Sequence, residues 1–395
     1  MKKRTILYML AAIMPGVLTA QSAFETAVQS IVDTNADLQA RHSRYLSDIE
    51  AEKAENQLNG PEAELEYKFA PSGVENRWGV SVSQAFDWPG LYGARRKTAR
   101  YNAEAFRMLY EADRNAVALE ARTLLLDYIQ ALHNVALLTE AENNLRSLDE
   151  NLSKAYERES ATILMVKKTR RELFEISGRR ADAESTLLRI KETLKAMGDG
   201  NVTLDGVTTF PDSPLRPLAD YRATMLIADP TLAAHSRLID AADAGISVNK
   251  AGRLPSFSLG YVHDYEEGFH FNGFSVGISL PSWGKNHSTS AAKAAALAAG
   301  FEKEDYAQNL EANLVADWNE AQDLARRLVP VKNEFAGDNY LELLAKSYDG
   351  GQITIFEYLR EINEYIDFKI NLTELEHRYN TVLTRLNRYN TTAAE

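Results

Sequence analysis

The stretch Arg77-Trp-Gly-Val-Ser-Val-Ser-Gln-Ala-Phe-Asp-Trp-Pro-Gly90 decides the fold. Residues 77–86 alternate, with Trp78, Val80 and Val82 on one side and Ser81 and Ser83 on the other. That period of two predicts a β-strand. Phe86-Asp-Trp-Pro-Gly90 closes it, and a long helical pattern starts directly behind. The same arrangement returns at Gly273-Phe-Ser-Val-Gly-Ile-Ser-Leu-Pro-Ser-Trp-Gly284. Gly79, Ser81, Val82 and Gly90 recur as Gly273, Ser275, Val276 and Gly284, an offset of 194 residues. A period that long belongs to a domain-sized unit written twice, not to a solenoid. The expected organisation is a leader at 1–20 and two tandem units, 21–218 and 219–395.

Working outward, each unit supplies a partner strand. Over 63–69, Leu65, Tyr67 and Phe69 alternate with Glu64, Glu66 and Lys68, and Ala70-Pro-Ser-Gly73 is a loop signal. In the second unit Phe257-Ser-Leu-Gly-Tyr-Val-His263 alternates, a polar loop covers 263–268, and Phe274, Val276, Ile278 and Leu280 oppose Ser275, Gly277 and Ser279. Strands of about ten residues, apolar on one face and polar on the other, suit an outer-membrane barrel. A half-buried strand of a soluble sandwich would alternate in the same way. The candidate barrel residues are Leu65, Tyr67, Val80, Val82, Phe257, Tyr261, Val276 and Ile278. Trp78, Trp88, Trp283, Phe269 and Phe271 lie near strand ends, as interfacial aromatic girdles do.

The remainder is helical. After Gly93 neither proline nor glycine breaks the pattern to about Glu157. That is roughly 65 residues, or ~100 Å at 1.5 Å per residue. Leu138, Ala141, Leu145, Leu148, Leu152 and Ala155 are spaced 3-4-3-4-3, a coiled-coil seam. A reversal near 158–161 leads into a helix over 162–197, and 201–218 is a connector. Helices are also expected at 22–58, 219–251, 285–348 (interrupted at most by Gly300, Pro330 and Gly337) and 353–389. The two turns align: Lys154-Ala-Tyr-Glu157 then Thr162-Ile163, against Lys346-Ser-Tyr-Asp349 then Thr354-Ile355. Gly350 and Gly351 can both take the positive φ of a tight reversal. Short helices added end to end match the long ones, so four rods of equal length are expected.

Composition narrows the function. The net charge is -12 and no basic patch stands out, which argues against nucleic acid. There is no cysteine, so disulfides, thiolate zinc sites, a cysteine nucleophile and a lipid-modified N-terminal cysteine are excluded. Met1-Lys-Lys-Arg followed by a short apolar run and Leu18-Thr-Ala20 reads as a cleaved secretory signal. Losing Lys2, Lys3 and Arg4 takes the charge from -12 to -15. No later stretch is apolar enough for a transmembrane helix. If the chain lives in a membrane, strands must hold it there. Four strands leave two open edges, and open edges cannot stand in lipid. Single-chain barrels need about eight strands, and at that size the interior is filled. A trimer would supply twelve and leave a lumen.

With these features together, the chain resembles the TolC-like outer-membrane efflux protein family, over essentially all of the mature sequence. The resemblance is carried by Arg253-Leu-Pro-Ser-Phe257, by Val82-Ser-Gln-Ala-Phe-Asp-Trp-Pro-Gly90, by Gly350-Gly-Gln-Ile-Thr-Ile-Phe-Glu-Tyr-Leu359 and by the tandem repeat. It implies a mainly α fold with a small β part: a long coiled-coil helical barrel, plus four strands per chain in a trimeric twelve-stranded transmembrane barrel. It implies an exit duct in the outer membrane, with a periplasmic helical extension, served by a periplasmic adaptor and an inner-membrane transporter. The family gates its periplasmic end with a tyrosine before the turn and carboxylates just after it. Tyr348 matches the tyrosine and Glu357 the first carboxylate. Arg360 stands at the second position, and Met165 at the partner position in the first repeat. The two-carboxylate gate is therefore only partly kept. Tyr156, Glu157, Thr162, Ile163, Asp349, Gly350, Gly351, Thr354 and Ile355 are expected at the tip, where the adaptor would dock.

No catalytic constellation emerges: there is no phosphate-cradling glycine loop, no nucleophile elbow and no His–acid spacing of a metal enzyme. A cofactor is not expected. His42 and His235 read as inheritance from the repeat rather than as a metal pair; His263 and His270 flank one hairpin loop and could meet a metal there, though exposed loop histidines are the commoner case. The competing reading is a periplasmic coiled-coil scaffold whose strands pack in a small soluble domain.

Overall fold

The computed structural model describes residues 15–389, apart from Val74, 281–285, Ala336 and Asp338. Most of the expected leader, Trp283 of the aromatic set and the start of the helix expected at 285 lie outside the described residues. The elements run α1 (Pro15–Thr34), α2 (Ala36–Ala54), β1 (Glu62–Lys68), β2 (Arg77–Phe86), α3 (Pro89–Glu157) and α4 (Ile163–Met197). They continue with α5 (Leu218–Ala228), α6 (Pro230–Ala251), β3 (Ser256–Glu266), β4 (Phe269–Ser279), α7 (Asn286–Glu334), α8 (Tyr340–Asp349) and α9 (Ile355–Leu386). This is the mainly helical architecture with one small sheet that the strand and helix patterns predict. Among the described residues no helix is long and apolar enough to cross a membrane.

Two of the expected helices are in fact pairs, and a third breaks at one of the interruptions expected of it. The helix expected over 22–58 breaks at Asn35, whose Oδ1 accepts the Leu38 N–H at 2.8 Å and so caps α2. Its amide also donates to the Met197 carbonyl, 2.9 Å. The helix expected over 219–251 breaks at Asp229, whose Oδ1 accepts the Leu232 N–H at 2.8 Å. Pro230 follows at the first helical position, where a missing N–H is harmless. Asn35 and Asp229 are one repeat offset apart, so the same cap is cut twice. The third break separates α7 from α8 at Gly337, whose φ of 71° only glycine takes cheaply. Neither Gly300 nor Pro330 ends α7.

The chain forms two compact units, each drawing segments from both halves of the sequence. The first holds the described residues of 1–39, 114–227 and 312–395. Its core at the turn end uses the seam: Leu138, Ala141, Leu145, Leu148 and Leu152 of α3 are buried against Val166 and Ile176 of α4, Leu341 and Leu344 of α8, and Ile355, Leu359, Ile362 and Ile366 of α9. Buried Glu142 on α3 pairs with Arg146 on its own helix and with Arg180 on α4. A charge kept there is tolerated because both guanidinium groups answer it.

The second unit holds 40–113 and 228–311 and contains the sheet. All neighbouring strands are antiparallel, in the order β1-β2-β3-β4. The polar loop expected over 263–268 is shorter than that. β3 runs on to Glu266, and Glu267 and Gly268 turn the hairpin with φ of 48° and 83°. Two residues at positive φ make the tight hairpin turn that matches strand twist. At the other end, the Tyr92 hydroxyl accepts the Asp87 N–H at 2.9 Å, and Arg95 pairs with the Asp87 carboxylate at 3.0 Å. These bonds tie the end of β2 to the first turns of α3.

Candidate functional site

Two features stand out, one in each unit. The first is the sheet. Directly opposed residues of an antiparallel sheet share a face. The register therefore runs Tyr67–Trp78–Tyr265–His270, Leu65–Val80–His263–Asn272, Ala63–Val82–Tyr261–Phe274, Gln84–Leu259–Val276 and Phe86–Phe257–Ile278 across one face. The other face reads Glu66–Gly79–Asp264–Phe271, Glu64–Ser81–Val262–Gly273, Glu62–Ser83–Gly260–Ser275 and Ala85–Ser258–Gly277. All eight candidate barrel residues fall on the apolar face, joined by Leu259 and Phe274. That face is uncovered within the chain: Leu65 is 72% exposed and Val276 71%. Such a broad exposed apolar surface marks a contact with something else.

The polar face is the crowded one. A β-carbon added at Gly79 would strike the Asp264 carboxylate, and one at Gly260 would lie 2.5 Å from the Ser275 hydroxyl. Glycine is thus required at 79 and 260, while Ser275 on the same face is exposed. Phe269 and Phe271 also lie on it, at its hairpin end, so they do not join Trp78 in one aromatic girdle. Among the described residues β1 and β4 each have one paired and one open edge.

The second feature is the pair of helical turns, α3–α4 and α8–α9. They are built alike. Glu159 N–H donates to the Tyr156 carbonyl at 2.9 Å and Ser160 N–H to Ala155 at 2.8 Å; Gly351 N–H donates to Tyr348 at 2.9 Å and Gln352 N–H to Ser347 at 2.9 Å. Each is a helix end closed by one left-handed residue, Glu159 at φ 58° and Gly351 at φ 69°. Gly350 does not share that conformation: its φ is -75°, so only one of the two glycines is needed for its backbone. Thr162 and Thr354 cap the helices that follow.

The four gate candidates are placed differently. Met165 and Tyr348 come together on the walls of one open groove, with Asp349, Gly351, Ile353, Thr354, Ile355 and Phe356. The Tyr348 ring also packs 5.2 Å from that of Tyr358. Burial and then the Asp349 charge raise the Tyr348 phenol above its ordinary pKa, so it stays a neutral donor. Glu357 is held in a capping box: its carboxylate accepts from the Thr354 N–H at 2.8 Å and the Thr354 hydroxyl at 2.9 Å. Those bonds, the backbone one first, lower its pKa. Arg360 points away to Glu361 at 3.2 Å and Glu364 at 3.6 Å. Ile353 and Phe356 are groove residues that helical spacing did not single out; their proximity to an aligned turn was the available signal. Of the tip candidates, Tyr156, Glu157, Thr162, Ile163, Asp349, Gly350, Gly351 and Thr354 are exposed, and Ile355 is buried.

His42 packs on Tyr110 at 4.6 Å and His235 on Tyr306 at 5.3 Å, so both repeat histidines make tilted ring contacts with a tyrosine. Among the described residues no group of three or more His, Asp or Glu side chains converges as a metal site would.

These features can be set beside known structures. The chain superposes on CusC, described for its transmembrane channel formation, with a TM-score of 0.74 and 14% identity over 93% of this chain and 91% of that one. It superposes on the Campylobacter jejuni outer-membrane channel CmeC at 0.70, with 15% identity over 93% and 85% of the two chains. It matches the outer-membrane protein VceC of Vibrio cholerae at 0.70, with 15% identity over 94% and 97%. The chain has the TolC-like fold. The match spans both units and nearly the full length of each neighbour, at identities low enough that fold is what it conveys. No protein-family model matches the sequence, and no curated protein does. Within the TolC-like fold, the exposed apolar face lies on the strands, and the groove holding Met165 and Tyr348 lies at the helical turns.

Proposed function

We propose that this chain is the outer-membrane exit duct of an export system, a passive channel made by three copies. One observation carries the reading: a four-stranded sheet with both edges open and one broad, exposed apolar face. Open edges and exposed apolar side chains are costly in water, and open edges in lipid too. Three such sheets joined edge to edge would remove every open edge, turn the apolar face to lipid and the Ser/Gly face to a lumen. The superpositions on CusC, described for its transmembrane channel formation, and on the outer-membrane channel CmeC support the channel reading. Residues 1–20 would direct export and be removed, leaving units 21–218 and 219–395.

The turns would form the periplasmic tip, six in the trimer. There Tyr348 and Met165 would narrow the entrance. Glu357 and Arg360 would set its charge, and Tyr156, Glu157, Thr162, Ile163, Asp349, Gly350, Gly351, Thr354 and Ile355 would meet a periplasmic adaptor. An inner-membrane transporter would supply the energy, since the duct itself performs no chemistry in this reading.

The test is membrane fractionation, gel mobility with and without heating, and mass measurement of the detergent-purified protein. Outer-membrane residence, heat-dependent mobility and a trimer mass are expected. A soluble monomer would overturn the channel and favour a periplasmic scaffold.

A further inference from the structure

His263 on β3 and His270 on β4 meet on the apolar face at the hairpin end. They are diagonal neighbours, since His263 is paired with Asn272 and His270 with Tyr265. Nε2 of His263 stands 3.3 Å from Nδ1 of His270, with ring centroids 5.3 Å apart. The His263 Nδ1–H donates to Asn272 Oδ1 at 2.7 Å, and that oxygen also accepts from the Tyr261 hydroxyl at 2.6 Å. This bond sets the tautomer: the lone pair of His263 is on Nε2, where it accepts from His270 Nδ1–H.

We propose that the pair is a binding site for a late first-row divalent cation (Zn²⁺, Ni²⁺ or Cu²⁺) held between His263 Nε2 and His270 Nδ1. The spacing is one argument. Two imidazole nitrogens each ~2.0–2.1 Å from a tetrahedral ion lie about 3.3 Å apart. Without an ion the same contact is a long N–H···N hydrogen bond, so a cation can take the proton's place with the rings where they stand. The orientation is a second, independent argument. Metal-binding histidines characteristically give their other N–H to a carbonyl or carboxylate, which fixes the ring, and Asn272 Oδ1 does this for His263. Access is the third: His270 is exposed and His263 half-buried, so water can fill the remaining coordination positions. Two neutral imidazole nitrogens select imidazole-preferring metals over Mg²⁺ and Ca²⁺. His270 binds as its Nε2–H tautomer, so the ion enters without net loss of a proton. The bound ion would clamp β3 to β4 beside their two-residue turn. The site stands on side-chain geometry within one hairpin and does not depend on the channel reading.

The full chain, purified in detergent through a tag free of histidine, is dialysed against Zn²⁺ and, separately, titrated with Cu²⁺. One ion per chain is expected, with nitrogen couplings from two imidazoles in the Cu²⁺ electron paramagnetic resonance spectrum. His270→Ala should return binding to background, and Asn272→Ala should weaken it about tenfold by freeing the His263 ring. His42→Ala should bind as the unaltered chain does. Circular dichroism of each variant establishes that loss of binding is not loss of folding. No ion above background on the unaltered chain, or equal binding by folded His263→Ala/His270→Ala, would overturn the site and leave a hydrogen-bonded pair only.

Discussion

Placing one arginine on each face of β4 separates a lipid-facing sheet from a water-facing one. Val276 lies opposite Leu259 in a row that ends at Gln84, and nothing in the chain covers it. Ser275 is its neighbour on the other face, opposite Gly260. If the apolar face stands in water, Val276→Arg changes an exposed side chain and should shift stability by no more than ~0.5 kcal/mol. If it stands in lipid near mid-depth, the same change should cost about 2–4 kcal/mol. That is a factor of roughly 30 to 900 in the folding equilibrium, at 1.36 kcal/mol per tenfold. Ser275→Arg, reaching into a wet lumen, should cost much less. Urea unfolding of protein refolded into lipid vesicles, followed by tryptophan fluorescence and gel mobility, measures both. Equal costs at Val276 and Ser275, or a cost at Val276 below ~0.5 kcal/mol, would refute the assignment of faces.

At the turns, Gly351→Ala forces a side chain into a left-handed conformation and should destabilise by about 1–2 kcal/mol, whereas Glu159→Gly relieves the same strain in the other repeat and should raise the melting temperature. Thr354→Ala should cost about 1 kcal/mol in chemical denaturation, and more than Thr162→Ala, because the Thr162 hydroxyl accepts the Met165 N–H while the Thr354 hydroxyl accepts the Glu357 N–H and also donates to the Glu357 carboxylate. Glu142 has its pKa lowered first by Arg146, with Arg180 adding to it. Its stabilisation is therefore complete above the ordinary carboxylate range and lost as pH falls through the lowered value, and Glu142→Gln should flatten that acid limb of the stability profile. In planar bilayers, Glu357→Gln should reduce cation preference by removing up to three entrance charges while leaving assembly intact. Unchanged ion preference would make Glu357 a helix cap and nothing more.

Much of this fold is legible in local patterns. Period-two alternation located β2 over 77–86 and marked which side of each strand is apolar. The 3-4 spacing of Leu138 to Leu152 identified the buried seam of α3. The turns at 156–163 and 348–355 could be aligned because a helix reversal fixes a short run of capping bonds, and those depend on neighbours in sequence. What local patterns missed were breaks made by a single residue in an otherwise helical run. Asn35 is an ordinary polar residue by spacing and becomes a break because its side chain caps the next helix; Asp229 caps in the same way, with Pro230 behind it as the one local signal of a boundary.

Which side chains are apolar, where the chain reverses and that the pattern recurs are all readable along the linear order of residues. These follow from periodicity and turn chemistry, which act over a few residues. The rest came from pairing and packing between distant segments. Strand register gathered eight candidates from four strands onto one face, and sent Phe269 and Phe271 to the other. Extending β3 and β4 past their expected ends turned His263 and His270 from loop residues into facing partners. Packing of α8 and α9 beside α4 brought Met165 to Tyr348 while the capping box withdrew Glu357 to its own helix end. Each of these is a meeting of residues distant in the chain or paired by register, and no local pattern carries the distance between them.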